Sequence, residues 1–236
     1  MPLIPALILF LGAFTQSMTG FGSALVAMSI LPSLLGLDIA APLVAATGLI
    51  LEIMLILRYR QSLRLDAIWR ALAASLAAAP LGVLAVRHIN ERAALFLLGL
   101  LLVAYSLYAL SGIRLPALTH PLWAWATGLL SGLLGGAYNT AGPPIVVYGN
   151  CRGWDAAQFK SNLSGFFIIN SLFVTTSHAV NGNFTSEVMR LFLLCIPATA
   201  LGFIVGQSMD RWLDPQRFRK IVLVLLIALG ARLMLG

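Results

Sequence analysis

Thr15-Gln16-Ser17-Met18-Thr19-Gly20-Phe21-Gly22-Ser23 lies in the middle of a 37-residue run, Met1 to Leu37, that contains no Asp, Glu, Lys or Arg. A second run of 37 residues, Leu115 to Cys151, has Gly135-Gly136-Ala137-Tyr138-Asn139-Thr140-Ala141-Gly142 at its centre, followed by Pro143-Pro144. Both runs are apolar at their ends and polar and Gly-rich between. Gly12 and Gly22 precede Gly132 and Gly142 by 120 residues. A break that recurs at membrane depth points to a binding site built by duplication, because discontinuous helices in corresponding halves often carry the substrate of a transporter.

Length decides how such a run crosses a bilayer. Thirty-five residues of helix would extend roughly 52 Å, against a hydrocarbon core of about 30 Å. Two full spans would need about 40 residues plus a turn. A re-entrant hairpin fits between these limits: two arms meet at the midplane and leave on the side they entered. Irregular backbone at that depth is tolerated where protein buries it or it lines a cavity.

The rest of the chain agrees with a polytopic membrane protein. Apolar residues make up 60% and charged residues 10%, where a soluble domain carries about 25% charged. The net charge of +7 sits between apolar runs, so it reads as topology determinants and not as a nucleic-acid surface. The N-terminus lacks the basic n-region of a secretory signal, and we expect it to stay in the mature fold. Cys151 and Cys195 make no metal or redox spacing, so no metal or cofactor is expected. All five tryptophans, Trp69, Trp123, Trp125, Trp154 and Trp212, fall at joints between apolar runs, where an interfacial aromatic belt would place them.

Six apolar helices are expected near 40–57, 67–87, 93–111, 156–176, 187–207 and 218–235. The halves align beyond the breaks. Asp38-Ile39-Ala40-Ala41 matches Asp155-Ala156-Ala157, Thr47-Gly48 matches Ser164-Gly165, Leu81-Gly82 matches Leu201-Gly202, and Asn90-Glu91 matches Asp214-Pro215. The fold expected is all-α, with two inverted repeats, each a re-entrant helical hairpin plus three transmembrane helices. Repeat 1 covers 1–112 with its hairpin at 3–37, the linker covers 113–120, and repeat 2 covers 121–236 with its hairpin at 121–151.

Charge placement supports this topology. With both hairpins re-entrant, one side receives Arg58, Arg60, Arg64, Arg70, Arg114, Arg152, Lys160, Arg211, Arg217, Arg219 and Lys220, and the other only Arg87, Arg92, Arg190 and Arg232. The rich side should be cytoplasmic, with both termini outside. With single crossings the bias vanishes.

The breaks carry the chemistry. A half-helix starting at the midplane points unpaired N–H groups and its positive dipole end at the centre. One is expected near Ser23 and the other near Pro143, a residue suited to a first helical turn. Side-chain donors nearby are Gln16, Ser17, Thr19, Ser23, Asn139, Thr140 and Tyr138, and Gly20, Gly22 and Gly142 would let backbone approach a ligand. Neutral donors without a carboxylate suit an oxyanion. Ser164 and Thr47, at matching offsets, are further candidates. Gly128, Gly132 and Gly136 form a small-residue ladder read as helix packing. Glu52 is the one acid deep in an apolar run and is the candidate proton carrier, although snorkelling or pairing with Arg58, six residues on, competes with that reading. Lys160 and His178 read as interfacial.

Gly20-Phe21-Gly22, Asp38-Ile39-Ala40-Ala41 and Ala45-Ala46-Thr47-Gly48 have counterparts in the second half. These are Gly132-Leu133-Leu134-Gly135-Gly136, Gly142-Pro143-Pro144, and Asp155-Ala156-Ala157 through Asn162-Leu163-Ser164-Gly165. In that duplicated order the whole chain resembles the sulfite exporter TauE/SafE family of bacterial membrane proteins, also called toluene-sulfonate uptake permeases. The resemblance implies transport of sulfite, organosulfonates or related anions across the bacterial cytoplasmic membrane, without ATP-binding machinery. The chain departs from the family pattern in its first hairpin, where many members have a longer Gly run and a Pro, and at Asn139 and Thr140.

The expected function is thus secondary transport of a small sulfur-containing oxyanion, with proton coupling as a possibility. An anion channel is the alternative. An intramembrane hydrolase built on Ser23 and His178 is set aside, because the two are placed at different depths. The expected partners are a small anion and membrane lipid.

Overall fold

Glycine and capping residues set where the helices begin and end. The computed structural model describes residues 3–113, 115–209, 212 and 214–235, without the side chains of 86, 87 and 215. Arg114 and Arg211 of the charge tally, and the side chain of Arg87, lie outside the described residues, as do positions 1 and 236. The described elements are all helical. They are α1 (Leu3–Thr19), α2 (Ser23–Met28), α3 (Leu31–Leu35), α4 (Leu37–Tyr59), α5 (Leu65–His88), α6 (Glu91–Ser111), α7 (Pro121–Tyr138), α8 (Gly142–Cys151), α9 (Ala156–Val180), α10 (Ser186–Met209) and α11 (Pro215–Leu235). A single 3₁₀ turn, Arg60–Ser62, follows α4.

Side-chain caps satisfy several of the exposed helix starts. Asn90 accepts from the Ala93 N–H at 2.7 Å and Asp155 from the Gln158 N–H at 2.9 Å. His120 accepts from the Leu122 N–H, with Pro121 at the first helical position. Glu91, at the head of α6, accepts from the Leu37 N–H at the head of α4. The two helix starts therefore lie together on one face.

Five helices are long and apolar enough to cross a membrane by length and composition, within Leu37–Ser62, Leu65–Ala85, Glu91–Ser111, Ala156–Val180 and Ser186–Met209. Leucines on their outer surfaces, such as Leu84, Leu100, Leu172 and Leu201, are exposed, as a lipid-facing surface requires. The protein is an all-α polytopic membrane protein.

The expected breaks are present. Thr19 ends α1, and Gly20 and Gly22 take φ of +86° and +109° before α2 begins. A side chain at either position would be strained, so these two glycines make the turn possible. At the second break the left-handed residue is Asn139, φ 56°, a residue type whose short amide tolerates this region. The first residues after each break pack on the helix before it. Ser23 packs on Gly12, whose Cβ would stand 2.9 Å from the Ser23 carbonyl oxygen, and Ala141 packs on Gly135. The arm after the first break differs from the single half-helix expected, being divided into α2 and α3 at Ser29-Ile30.

Helix pairing exchanges the two halves. On α7, Gly128, Gly132 and Gly136 lie against the carbonyls of Ala71, Ser75 and Ala79 of α5, where an added Cβ would stand 2.1–2.2 Å away. The ladder is therefore a packing seam, and its register shows that α7 runs in the direction of α5. Gly202 and Gly206 of α10 meet Phe10 and Phe14 of α1 in the same sense. Thus α1 runs parallel to α10 as α7 does to α5. At the centre, α4 and α9 run antiparallel: Thr175 donates to the Ala45 carbonyl and Ser161 to that of Tyr59. Gly99 of α6 meets Gly230 of α11, while Tyr105 lies beside Arg219, so these last helices are antiparallel too.

Candidate functional site

The glycine turn at residues 20–22 returns Ser23 to the face of α1 that carries Gln16. The Gln16 side-chain oxygen accepts from the Ser23 N–H at 3.1 Å and from the Ser23 hydroxyl. Because a backbone N–H can only donate, the amide is oriented by it, and its nitrogen faces the other way. That nitrogen donates to Oε1 of Glu52 on α4. Three helices are joined by this chain of hydrogen bonds, Ser23 to Gln16 to Glu52.

Glu52 is 4% exposed. Its Oε2 has no hydrogen-bond partner among the described residues. Neither snorkelling nor an ion pair with Arg58 is present; the carboxyl points inward. Buried polar atoms almost always have partners, so an orphan oxygen needs an explanation. Glu52 lines a cavity of about 60 Å³, room for a few water-sized groups. Gln16, Gly22 and Ser23 line one side of the cavity, Gly135, Asn139, Thr140 and Gly142 another, and Val44, Gly48 and Glu52 a third. Two breaks far apart in sequence therefore face one space.

The second break is held by one local bond and one to the other half of the chain. Asn139 N–H donates to the Gly135 carbonyl at 2.9 Å, and its side-chain amide donates to the Ala41 carbonyl near the start of α4. Thr140 is buried, with its hydroxyl 3.5 Å from the Leu134 carbonyl. That contact is too long to be strong, so this hydroxyl has capacity for a ligand. Gly142, not Pro143, opens α8, and Pro143 and Pro144 follow it. Prolines carry no N–H, so the first turn of α8 offers fewer backbone donors than an ordinary helix start.

Other expected residues sit off this cavity. Thr47 donates to the Leu43 carbonyl and lines a neighbouring space of about 10 Å³ with Ser23, Gly48 and Thr199. The Thr19 hydroxyl lies within hydrogen-bond reach of the Thr15 and Phe21 carbonyls, and Thr19 borders a narrow space shared with Arg219. Gly20 faces the stem of Lys160. Ser17 donates to the Phe203 carbonyl, and Ser164 to that of Lys160. Tyr138 is buried outside the cavity lining. The Ser23 hydroxyl is engaged by Gln16, and His178 faces Asn183 near the end of α9. These two are not a nucleophile–base pair.

Phe167, Asn170 and Ser171 of α9 also line the cavity and were missed by sequence reasoning. Asn170 accepts from the Ser75 hydroxyl at 2.6 Å and donates to the Phe166 carbonyl. The available signal was an amide in the apolar run Phe166-Phe167-Ile168-Ile169, comparable to Glu52 in α4. Chemically, the space offers hydroxyl and amide groups, one carboxyl able to carry a proton, and no basic side chain. No metal-ligating cluster occurs among the described residues.

Comparison with known proteins finds relatives of the sequence. Residues 5–233 match the family model described as sulfite exporter TauE/SafE. A Cupriavidus necator protein described as a probable sulfite/organosulfonate exporter TauE is 28% identical over 237 residues, which cover 95% of this chain and 90% of that protein. A Comamonas testosteroni protein described as a probable inner membrane transporter protein TsaS is 25% identical over 171 residues, covering 70% of this chain and 72% of the relative. No solved structure matches the chain.

Proposed function

Because the chain belongs to the sulfite exporter TauE/SafE family, we propose that it is a secondary transporter moving a small sulfur-containing oxyanion across the bacterial inner membrane by alternating access. The observation that carries this reading is the cavity between the two breaks, with neutral donors and a single carboxyl on its wall. The relatives' descriptions as a sulfite/organosulfonate exporter and an inner membrane transporter support the substrate class and the membrane. No catalysis is proposed.

Helix directions support inverted repeats. Consecutive spanning helices alternate in direction, so α4 and α6 run one way and α5 the other. α9 opposes α4. Accordingly α1, parallel to α10, runs with α4, and α7, parallel to α5, runs with α9. The chain must return between α1 and α4, and again between α7 and α9. The segments that would do so are α2–α3 and α8, as re-entrant arms. Equivalent helices that pack antiparallel also place the pseudo-two-fold axis in the membrane plane. Cysteines at Gln61 and Asn181, in matching loops after α4 and α9, should then react with impermeant maleimide from opposite sides. Labelling from one side only would contradict the inverted arrangement.

Glu52 is the proposed coupling residue. An anion in this cavity faces like charge when the carboxyl is ionised. With the carboxyl neutral, Oε2–H becomes a donor to that anion. Proton and anion would therefore enter together. Gln16 has the role of holding the carboxyl in place. The direct test is uptake into proteoliposomes of sulfite, methanesulfonate, sulfate and acetate. We expect saturable movement of a sulfur oxyanion, accelerated when the side of origin is acidified. Single-channel conductance would favour a channel instead, and no movement of any sulfur anion would defeat the proposal.

A further inference from the structure

The basic residues at the head of α11 differ in where they point. Arg217 is exposed and pairs with Asp214 at 3.4 Å, and Lys220 is exposed. Arg219 turns inward. Its guanidinium carbon lies 5.3 Å from the ring centroid of Phe21, the residue at the tip of the first break. Its Nε is shut away from solvent without a hydrogen-bond partner. Beside it stands the buried Tyr105 hydroxyl, which has the guanidinium as its side-chain hydrogen-bonding neighbour. Among the described residues no carboxylate pairs with Arg219. A guanidinium N–H left without a partner is unusual in a folded interior.

Arg219 borders two spaces. One is narrow and shared with Thr19, Phe21 and Gly22. The other is a vestibule of about 490 Å³ bounded by Tyr108, Gly112 and Leu115 at the start of the linker, and by Asn150 at the end of α8. Phe21 stands between these and the central cavity. Its ring packs edge-on to Tyr105, and Cδ2 would lie 3.9 Å from a Cβ on Gly142, which lines that cavity. Gly20 and Gly22, on either side of Phe21, hold positive φ that glycine adopts without strain, and this turn sets where the ring stands.

We propose that Arg219, positioned by Tyr105, forms a second anion site at the linker-face vestibule, from which a sulfur oxyanion passes the Phe21 ring into the central cavity. This rests on the transport reading above. A guanidinium supplies donors in a planar fork suited to oxyanion edges, and its charge at the mouth of a cleft raises the local anion concentration. An anion on the edge of the guanidinium neutralises the charge that attracts the Phe21 ring to its face. Binding in the vestibule thereby weakens the contact that keeps Phe21 in place.

Transport of sulfite and of methanesulfonate should be measured in right-side-out and inside-out vesicles. Arg219→Gln is expected to raise the half-saturating concentration about tenfold or more from the linker face, and to leave it unchanged from the opposite face. Arg219→Lys should fall between, and Arg217→Gln should behave as the parent. An unchanged value from the linker face overturns the proposal. So does an equal loss from both faces, which is the mark of a folding fault. A Gly142→Val chain that transports normally beside an impaired Arg219→Gln removes the central site and leaves the vestibule standing. A parent chain that moves neither anion removes both.

Discussion

Replacing Glu52 by Gln is expected to make transport indifferent to a pH gradient while anion binding persists. The substitution keeps the shape of the group and an oxygen for the Gln16 amide, whose nitrogen donates to Glu52 Oε1. It also places an amide donor where the protonated carboxyl would present Oε2–H, an oxygen without a partner in the parent. What it removes is titration. Two like charges 4 Å apart at an effective dielectric of 20 repel by about 4 kcal/mol, so an anion beside ionised Glu52 would be strongly disfavoured. The parent protein should bind its anion more tightly as pH falls, with a limiting slope of about tenfold per pH unit for one proton taken up per anion. Glu52→Gln should bind with the affinity of the low-pH parent at every pH. Isothermal titration across a pH series measures this. A mutant with the parental slope would return Glu52 to a structural role.

The second large effect is expected at Gly142. A Cβ here would lie 3.6 Å from Phe167 Cζ and 3.9 Å from Phe21 Cδ2, which is ordinary contact. Gly142→Ala should therefore fold normally and lose little binding. Valine adds two methyl groups, and a space of about 60 Å³ has no room to spare for them beside a ligand. Overpacking costs about 1–3 kcal/mol in stability, whereas losing hydrogen bonds to a charged ligand costs about 1.5–3 kcal/mol each. Gly142→Val should thus bind at least about tenfold more weakly, with thermal unfolding shifted by only a few degrees. Parental binding in the valine variant would move the site elsewhere.

Much of this fold is readable in the sequence because charge is so scarce. Charge-free runs mark the breaks, and Asn90 and Asp155 mark helix starts that become caps. The Gly128, Gly132 and Gly136 ladder announces a close helix contact but not its partner, since α5 is found only by folding. The division between α2 and α3 falls at Ser29-Ile30, and Pro32 in the first turn of α3 is its signal in the sequence, since it cannot donate to the carbonyl of Met28 at the end of α2. Proximity to a break, in turn, does not determine which way a side chain faces. Thr19 turns its hydroxyl back on its own backbone, and Ser164 does the same on α9. Gln16 and Ser23, similar in type and position, meet across the turn. Asn170 carried too little pattern to be noticed, yet α9 brings it to the cavity. Arg219 was counted only as a charge, because a basic residue at a helix start has the same spacing whether it faces lipid or interior.

Anomalous diffraction from crystals grown with selenite, the selenium analogue of sulfite, locates the anion most directly. The account predicts a selenium peak in the cavity between the breaks, within hydrogen-bond reach of the Thr140 hydroxyl and Glu52, and adjacent to Gly142. A peak remote from both breaks, with that cavity unoccupied at saturating selenite, would contradict it.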